Sequence, residues 1–196
     1  KMSKSLGNSP DPIELMEKYG ADGVRVGMLL TSPAGNDLPF DEKLCEQGRN
    51  FSNKIWNAFR LTQGWEVDDA RDQVASSAVA VEWMESRICE VIEELEGQFS
   101  EFRLSEALMS TYRLVWDDFC SWYLELIKPP YGEPIDRKTM DSTVVIFEDL
   151  LKLLHPFMPF ITEEIWHWIR ERDNPEEAIC LAQWPEKKTK NTALLQ

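Results

Sequence analysis

Several signatures of common protein classes are missing from this chain of 196 residues. No apolar run approaches the roughly 18 residues that a membrane-spanning helix needs, and the first residues lack the apolar core of a signal peptide. Histidine is scarce, with two residues, and the four cysteines lie far apart without ligand-like spacing. We therefore expect no membrane association, no metal site, and reduced, mostly buried thiols in a cytoplasmic setting.

Sequence signatures of a self-contained active site are also missing. The chain holds no GxGxxG or GxxxxGKS/T loop for a nucleotide, no HExxH and no GxSxG. Its many carboxylates are scattered over predicted helix surfaces, where solvation is their ordinary role. His155 is expected to complete a helix cap, and His167 is expected to pack half-buried.

The residues that are present describe a globular, acidic protein. Apolar residues make up 43% of the chain, which is enough for a sizeable core and excludes a disordered chain. The formal net charge is −14. This charge argues against non-specific binding to nucleic acids or membrane surfaces, because both are polyanions.

Hydrophobic periodicity indicates helices along most of the chain and strands nowhere over any length. The sequence therefore predicts an all-α fold, a helical bundle of four or five main helices preceded by a short loop-and-helix segment. The tail after Pro175 includes an apolar patch that could be extended, and its basic end is expected to fray. The predicted helices run from Pro12 to Gly20, over 21–30, from Asp41 to Gly64, from Ser76 or Ser77 to about Phe102, from there to about Lys128, over 137–154 and over 160–172.

One helical segment, residues 47–65, holds three basic residues and no acid. It also carries several asparagines and aromatic residues. Asparagine amides can read base edges, cations can meet phosphates, and aromatic rings can stack on unpaired bases. The alternative is an ordinary helix that buries Phe51, Ile55 and Phe59 and exposes a polar face. Taken alone, the segment favours this ordinary helix.

The first five residues, KMSKS, place two lysines three positions apart in a serine-containing loop. Lysine ammonium groups on a mobile loop can close on a triphosphate and offset the charge that develops during nucleotidyl transfer. A merely basic terminus is the alternative for this pentapeptide.

These residues match the KMSKS signature of class I aminoacyl-tRNA synthetases, and the chain resembles that family along nearly its whole length. The stretches PAGND and WDDFCSWYLEL are similar to the valyl-tRNA synthetase members in particular, whereas LHPFMPFITEEIW is shared with leucyl and isoleucyl relatives. The resembling stretches are YGADGVR at 19–25, PAGND at 33–37, RNFSNKIWNA at 49–58, WDDFCSWYLEL at 116–126 and LHPFMPFITEEIW at 154–166.

The resemblance implies a role in ATP chemistry for residues 1–40, as the KMSKS loop and a linker at the end of a catalytic domain. Lys4 would stabilise the ATP phosphates while valyl-adenylate forms, and Lys1, Ser3 and Ser5 would support the loop and its phosphate contacts. ATP with Mg²⁺ would be the cofactor of the intact enzyme, and none is expected to bind the chain alone.

The resemblance further implies that residues 41–196 form a helical anticodon-binding domain, whose partner would be valine tRNA. The candidate tRNA-facing residues are Arg49, Asn53, Lys54, Asn57 and Arg60. The sequence holds no HIGH-type signature, no Rossmann sheet and no editing domain. We therefore expect a piece of a longer, monomeric valine–tRNA ligase that does not activate valine by itself.

Two alternatives remain open at this point. One is an isoleucyl or leucyl relative, and the other is a helical protein-interaction module without a tRNA role. The acid-free segment argues against the second, because a scaffold has no need for it. Residues 82–106, with eight acidic and two basic residues, are expected to form a solvated face turned away from RNA.

Overall fold

The computed structural model describes residues 4–6, 9–31, 40–172, 174–187 and 189–195. These residues form helices joined by short turns, which confirms the predicted all-α bundle. A π-helical stretch, Leu114–Tyr123, joins α5 to α6, and β1 (Val67–Asp68) pairs in parallel with β2 (Ile135–Asp136). The α-helices are α1 (Pro12–Tyr19), α2 (Ala21–Leu30), α3 (Glu42–Gln63), α4 (Ala75–Ser100), α5 (Leu104–Arg113), α6 (Leu124–Ile127), α7 (Arg137–Leu154) and α8 (Pro159–Ile169), and short 3-10 turns lie at Lys4–Leu6, Pro175–Glu177, Ile179–Leu181 and Thr192–Leu194.

Local capping signals set the starts of three helices where the sequence predicts them. The carboxylates of Asp11, Asp41 and Asp136 accept hydrogen bonds from backbone N–H groups in the first turns of α1, α3 and α7, at 2.8, 2.9 and 2.7 Å. Such caps satisfy donors that have no partner inside the helix. The predicted starts of α1, α3 and α7 are therefore confirmed.

Three predicted details are wrong. Helix α4 begins at Ala75 rather than at Ser76 or Ser77; neither serine is its N-cap residue, which is Val74, and Ser77 is buried within the helix. Helix α8 ends at Ile169 rather than at residue 172, because the Arg172 guanidinium turns back over the Trp166 ring at 3.7 Å. The apolar patch in the tail is not extended over its first residues, which form the Ile179–Leu181 turn.

The long helix predicted up to Lys128 is the run α5–π–α6, and much of it is buried in the core. Tyr123 and Phe119 are fully buried, and the Tyr123 hydroxyl hydrogen-bonds the Thr143 hydroxyl at 2.8 Å. The run nevertheless reaches solvent, because Trp122 and Leu126 remain more than half exposed. Its apolar character therefore serves both the core and an exposed surface.

The backbones of α2 and α3 lie in close contact. A Cβ added to Gly27 would lie 2.6 Å from the Cys45 sulfur, and one added to Gly48 would lie 2.5 Å from the Gly23 carbonyl oxygen. Glycine is unfavourable inside an isolated helix, and here it permits the close approach of two helices.

Two side chains of α2 also connect it to the first turn of α8 and to the turn between α7 and α8. Asp22 accepts hydrogen bonds from the N–H groups of Phe160 and Ile161 at 3.3 and 2.7 Å, and Arg25 donates to the carbonyl oxygens of Phe157 and Pro156 at 3.1 and 3.0 Å. The first helices and the bundle thus share fixed contacts. The domain boundary at residues 40 and 41 stays a prediction.

The described residues at the basic end of the tail are docked on α4, so the prediction that this end frays is wrong for them. Lys187 and Lys190 form ion pairs with Glu96 and Glu93 of α4 at 2.6 and 2.5 Å. The Asn191 side chain adds a hydrogen bond to the same helix. The expectation that the acidic face of α4 is simply solvated is therefore wrong at these positions, because the tail supplies their counter-charges.

Cys45, Cys89 and Cys120 are buried and Cys180 is exposed, and none of these four cysteines forms a disulfide. Burial raises the pKa of Cys120 to about 12. None of the helices in the described part of the chain combines the length and apolar character that a membrane crossing needs. The described residues also bring together no trio of histidine, cysteine or carboxylate side chains fit to hold a metal ion.

Candidate functional site

Helix α3 presents a polar strip to solvent. Asn53, Asn57 and Arg60 are exposed and follow Arg49 at spacings of four, four and three residues, which places all four on one side of the helix. The opposite side is buried and includes Phe51, Ile55 and Phe59, as the sequence predicts. A core-facing side and an exposed amide-rich side therefore coexist on one helix.

Arg49 stands at the start of the strip, where α3 meets α1. Its guanidinium lies 3.8 Å from the carboxylate of Glu46 and 5.6 Å from the centre of the Tyr19 ring. It also lines a groove of about 430 Å³ together with Asn53, Trp56 and Phe160. Sequence reasoning did not single out Phe160 for this surface; its ring is 63% exposed at the groove.

Lys54 lies on the other edge of the exposed side. Its ammonium group sits 5.3 Å from the centre of the Trp116 ring, in the π-helical stretch. Trp116 stacks in turn on Tyr112, so the lysine is held by a neighbouring helix. Among the described residues, neither Lys54 nor Arg60 takes part in an ion pair, so their charges remain available to an anion.

The C-terminal end of α3 borders a second groove that sequence reasoning missed. Leu61 and Gly64 line one side, and a turn containing Tyr131 lines the other. The run Pro-Pro-Tyr-Gly at 129–132 carries the signal that could have pointed to it, because proline and glycine predict a turn and a turn exposes the aromatic residue it contains.

The predicted ATP-site residues fall partly outside the described residues, since Lys1 and Ser3 are not among them. Lys4 and Ser5 lie in the 3-10 turn Lys4–Leu6, and Ser5 is exposed. The structure thus places two members of the pentapeptide next to each other in a short turn.

Two of the resembling stretches have packing roles in the bundle. In WDDFCSWYLEL, Asp118 pairs with Arg87 of α4 at 3.0 Å while Phe119 fills the core. In LHPFMPFITEEIW, the His155 Nδ1 lies 2.7 Å from the Thr162 hydroxyl, and burial lowers the pKa of His155. His155 thus follows the last turn of α7 as expected.

Comparison with known families decides the assignment. Residues 81–196, more than half of the chain, match the family model described as the anticodon-binding domain of tRNA ligase. The chain belongs to this family. Residues 1–41 match a second model, described as class I tRNA synthetases (I, L, M and V). Membership in the anticodon-binding family goes against a protein-interaction module without a tRNA role.

Curated relatives carry the name valine–tRNA ligase. The relative from Christiangramia forsetii is 61% identical over 188 residues, which are 96% of this chain and 21% of the relative. Those from Porphyromonas gingivalis and Bacillus cereus are 59% and 41% identical, over 100% and 94% of this chain and 22% and 21% of the relatives. The predicted resemblance to the valyl members is confirmed. The chain spans about a fifth of the length of these relatives.

Among solved structures, the chain is similar to LeuRS of Agrobacterium radiobacter, which was crystallised in a ternary complex with tRNA and LeuAMS. The TM-score is 0.65 at 21% identity, over 100% of this chain and 23% of that one. The two proteins therefore share a fold.

Proposed function

We propose that this chain acts within a valine–tRNA ligase, where its helical part binds the anticodon stem-loop of valine tRNA. The observation that carries the proposal is the identity of 54–62% to proteins named valine–tRNA ligase along more than nine-tenths of the chain. An isoleucyl or leucyl relative has less support, since no relative of comparable identity bears those names among the matches given above.

The exposed side of α3 is the proposed contact surface. The amides of Asn53 and Asn57 can donate to and accept from base edges, whereas the charges of Arg49, Lys54 and Arg60 can neutralise phosphates. Helix α3 is anchored by its buried side, so the backbone positions of these residues are fixed before binding and only their side chains must be ordered. The acidic helix α4 would suppress non-specific binding by repelling RNA elsewhere.

The ATP role of the first residues belongs to the same proposal. The side-chain types at Lys4 and Ser5 suit the phosphate groups of ATP with Mg²⁺, because ammonium and hydroxyl groups both donate to phosphate oxygens. In the intact enzyme Lys4 would offset charge on the phosphates, supported by Lys1, Ser3 and Ser5. We expect no valine-dependent exchange of pyrophosphate into ATP with the 196-residue chain alone.

A monomeric, cytoplasmic protein completes the proposal. The three buried thiols and the unpaired state of Cys180 are what a reducing compartment maintains.

Binding of valine tRNA at several salt concentrations tests the tRNA assignment. Arg60→Ala should lower the slope of log affinity against log salt by about one, because one phosphate contact is lost. Asn53→Ala and Asn57→Ala should instead reduce the preference for valine tRNA over a transcript with a mutated anticodon, by about 5- to 100-fold for a base-reading residue.

Lys187→Ala is the matched control, because it removes a cation of the tail that pairs with Glu96. It should leave the anticodon preference unchanged. Equal binding of the mutated transcript by the unmodified chain would contradict anticodon reading, and stronger binding of isoleucine or leucine tRNA would assign the chain to that relative instead.

A further inference from the structure

A tight turn after α6 presents one aromatic side chain fully to solvent. Helix α6 ends at Ile127, two prolines follow, and the Glu133 N–H donates to the Pro130 carbonyl oxygen at 3.0 Å. Gly132 occupies the third position of this turn with φ +79°, a conformation that favours glycine. Tyr131, at the second position, is exposed over its whole side chain.

The residues that follow Tyr131 in this turn are held by the connection between α3 and α4. Arg71 pairs with Glu133 at 2.9 Å and donates to the Pro134 carbonyl oxygen at 2.8 Å. The Ile135 N–H donates to the Glu66 carbonyl oxygen at 2.8 Å, next to the bridge between β1 and β2. A rigid mount of this kind lowers the entropy lost when the ring meets a ligand.

Tyr131 borders the groove of about 590 Å³ at the C-terminal end of α3. Leu61 and Gly64 line its other side, and Arg60 precedes Leu61 directly on the exposed side of the helix. The groove therefore continues the strip of Asn53, Asn57 and Arg60 by one further helical turn. A ligand that follows the strip reaches Tyr131.

The charges around the groove favour a planar ring over a phosphate as its occupant. Lys128 is paired with Glu125 at 2.6 Å, and Arg71 is paired with Glu133. The exposed Glu66 adds a negative charge at the rim. Proline and leucine supply apolar walls, which suit the face of a base.

We propose that Tyr131 stacks on an unpaired nucleobase in the anticodon loop of the bound tRNA. The inference rests on the proposed function of the chain. The strip and the groove have different roles. The residues of α3 contact phosphates and base edges, and Tyr131 stacks on one base beyond them.

The test measures binding of a hairpin RNA with the valine anticodon stem-loop to the 196-residue chain. Tyr131→Ala should weaken binding by about 5- to 100-fold, the range expected for loss of one base–aromatic stack. Tyr131→Phe should bind like the unmodified chain, because the ring face is kept. The slope against salt should stay the same in both, because no phosphate contact changes.

Abasic hairpins then locate the stacked base. Removing the base at one loop position should abolish the difference between Tyr131→Ala and the unmodified chain, whereas removal elsewhere should preserve it. A 2-aminopurine at that position should be quenched on binding the unmodified chain and not on binding Tyr131→Ala. Phe102→Ala is the matched control, because it also removes an exposed aromatic ring, which is 80% exposed between α4 and α5. This substitution should leave binding unchanged.

The outcomes separate this inference from the proposed function. Unchanged binding by Tyr131→Ala, with salt-dependent and Arg60-dependent binding intact, overturns the stacking role alone. A Tyr131→Ala effect that persists on a hairpin lacking every loop base also overturns it. If the unmodified chain does not bind the hairpin at all, the proposed function and the stacking role both fail.

Discussion

Individual glycines decide how the first helices meet α3. Gly23, Gly27 and Gly48 lie where the backbones of α2 and α3 approach most closely, and an added Cβ would meet backbone atoms at 3.1, 2.7 and 2.5 Å. Their sequence context indicates a poor helix, because each glycine costs about 1 kcal/mol relative to alanine in a helix interior. The close packing of α2 against α3 therefore explains why these positions hold glycine, although glycine is unfavourable inside a helix.

This explanation predicts opposite effects for two Gly→Ala substitutions. Gly27→Ala should destabilise the protein by about 1–3 kcal/mol, because the new methyl group overlaps the backbone of Cys45. Gly97→Ala in α4 should stabilise it by about 0.5–1 kcal/mol, because nothing lies within 4 Å of the added atom. Urea unfolding followed by circular dichroism measures both, and stabilisation by Gly27→Ala would contradict the close-packing argument.

At the scale of elements, α8 receives its cap from another helix. Its own N-cap residue, Met158, offers no side-chain hydrogen bond. The Asp22 carboxylate of α2 fills that role through its two backbone contacts, while Arg25 satisfies carbonyl oxygens in the turn before α8. The stretches YGADGVR and LHPFMPFITEEIW are thus two halves of one contact.

Asp22→Ala should therefore cost about 1–2 kcal/mol of stability, the usual range for loss of a helix cap. Burial raises the pKa of Asp22 despite its hydrogen bonds. A raised folded-state pKa contributes stability at low pH that is lost as pH rises through it. The deficit of Asp22→Ala should therefore be larger near pH 4 than at pH 7.

Asp22→Asn is the control for this prediction, because it keeps one acceptor oxygen and lacks the titrating proton. It should lose less stability than Asp22→Ala at both pH values, and its deficit should change with pH in the same direction, because both variants lack the carboxyl group that titrates in the unmodified protein. Equal unfolding midpoints for Asp22→Ala and the unmodified protein at both pH values would contradict the capping role.

At the scale of the whole molecule, opposite charges are sorted onto different helices. The exposed side of α3 carries cations and amides, whereas α4 carries carboxylates that the tail partly neutralises. The hydrogen bond from Lys190 lowers the pKa of Glu93. Because the folded-state pKa of Glu93 is lowered, the stability that this contact contributes is present at pH values above the ordinary carboxyl pKa. It is lost as the pH falls through the folded-state pKa.

The tail should therefore detach when its charges are reversed. Lys187→Glu with Lys190→Glu should speed amide hydrogen exchange over 189–195 several-fold at low salt, because two attractive pairs become repulsive. High salt should reduce the difference between the variant and the unmodified chain. Lys138→Glu, an exposed cation of α7, is the control, and faster exchange of the tail in that variant alone would contradict the docking role.

The starts of helices were predictable from the chain because their signals are local. Asp11, Asp41 and Asp136 precede their helices directly, and Gly20 and Gly64 follow theirs. The candidate strip on α3 was likewise readable, since Arg49, Asn53, Asn57 and Arg60 recur at helical spacing. Tyr131 was not, because its place beside the strip depends on a turn 70 positions after Leu61 in the chain.

The sequence by itself determined the all-α fold class, the capped helix starts and the family to which the chain belongs, because these depend on neighbouring residues and short motifs. Only the tertiary structure decided that Arg25 holds the backbone at Phe157, that the tail covers part of α4, and that Tyr131 borders the end of α3. Such contacts join residues far apart along the chain. The hydrophobic periodicity of the sequence does not predict these contacts. They depend on how closely whole helices approach one another and on which polar groups that approach brings together.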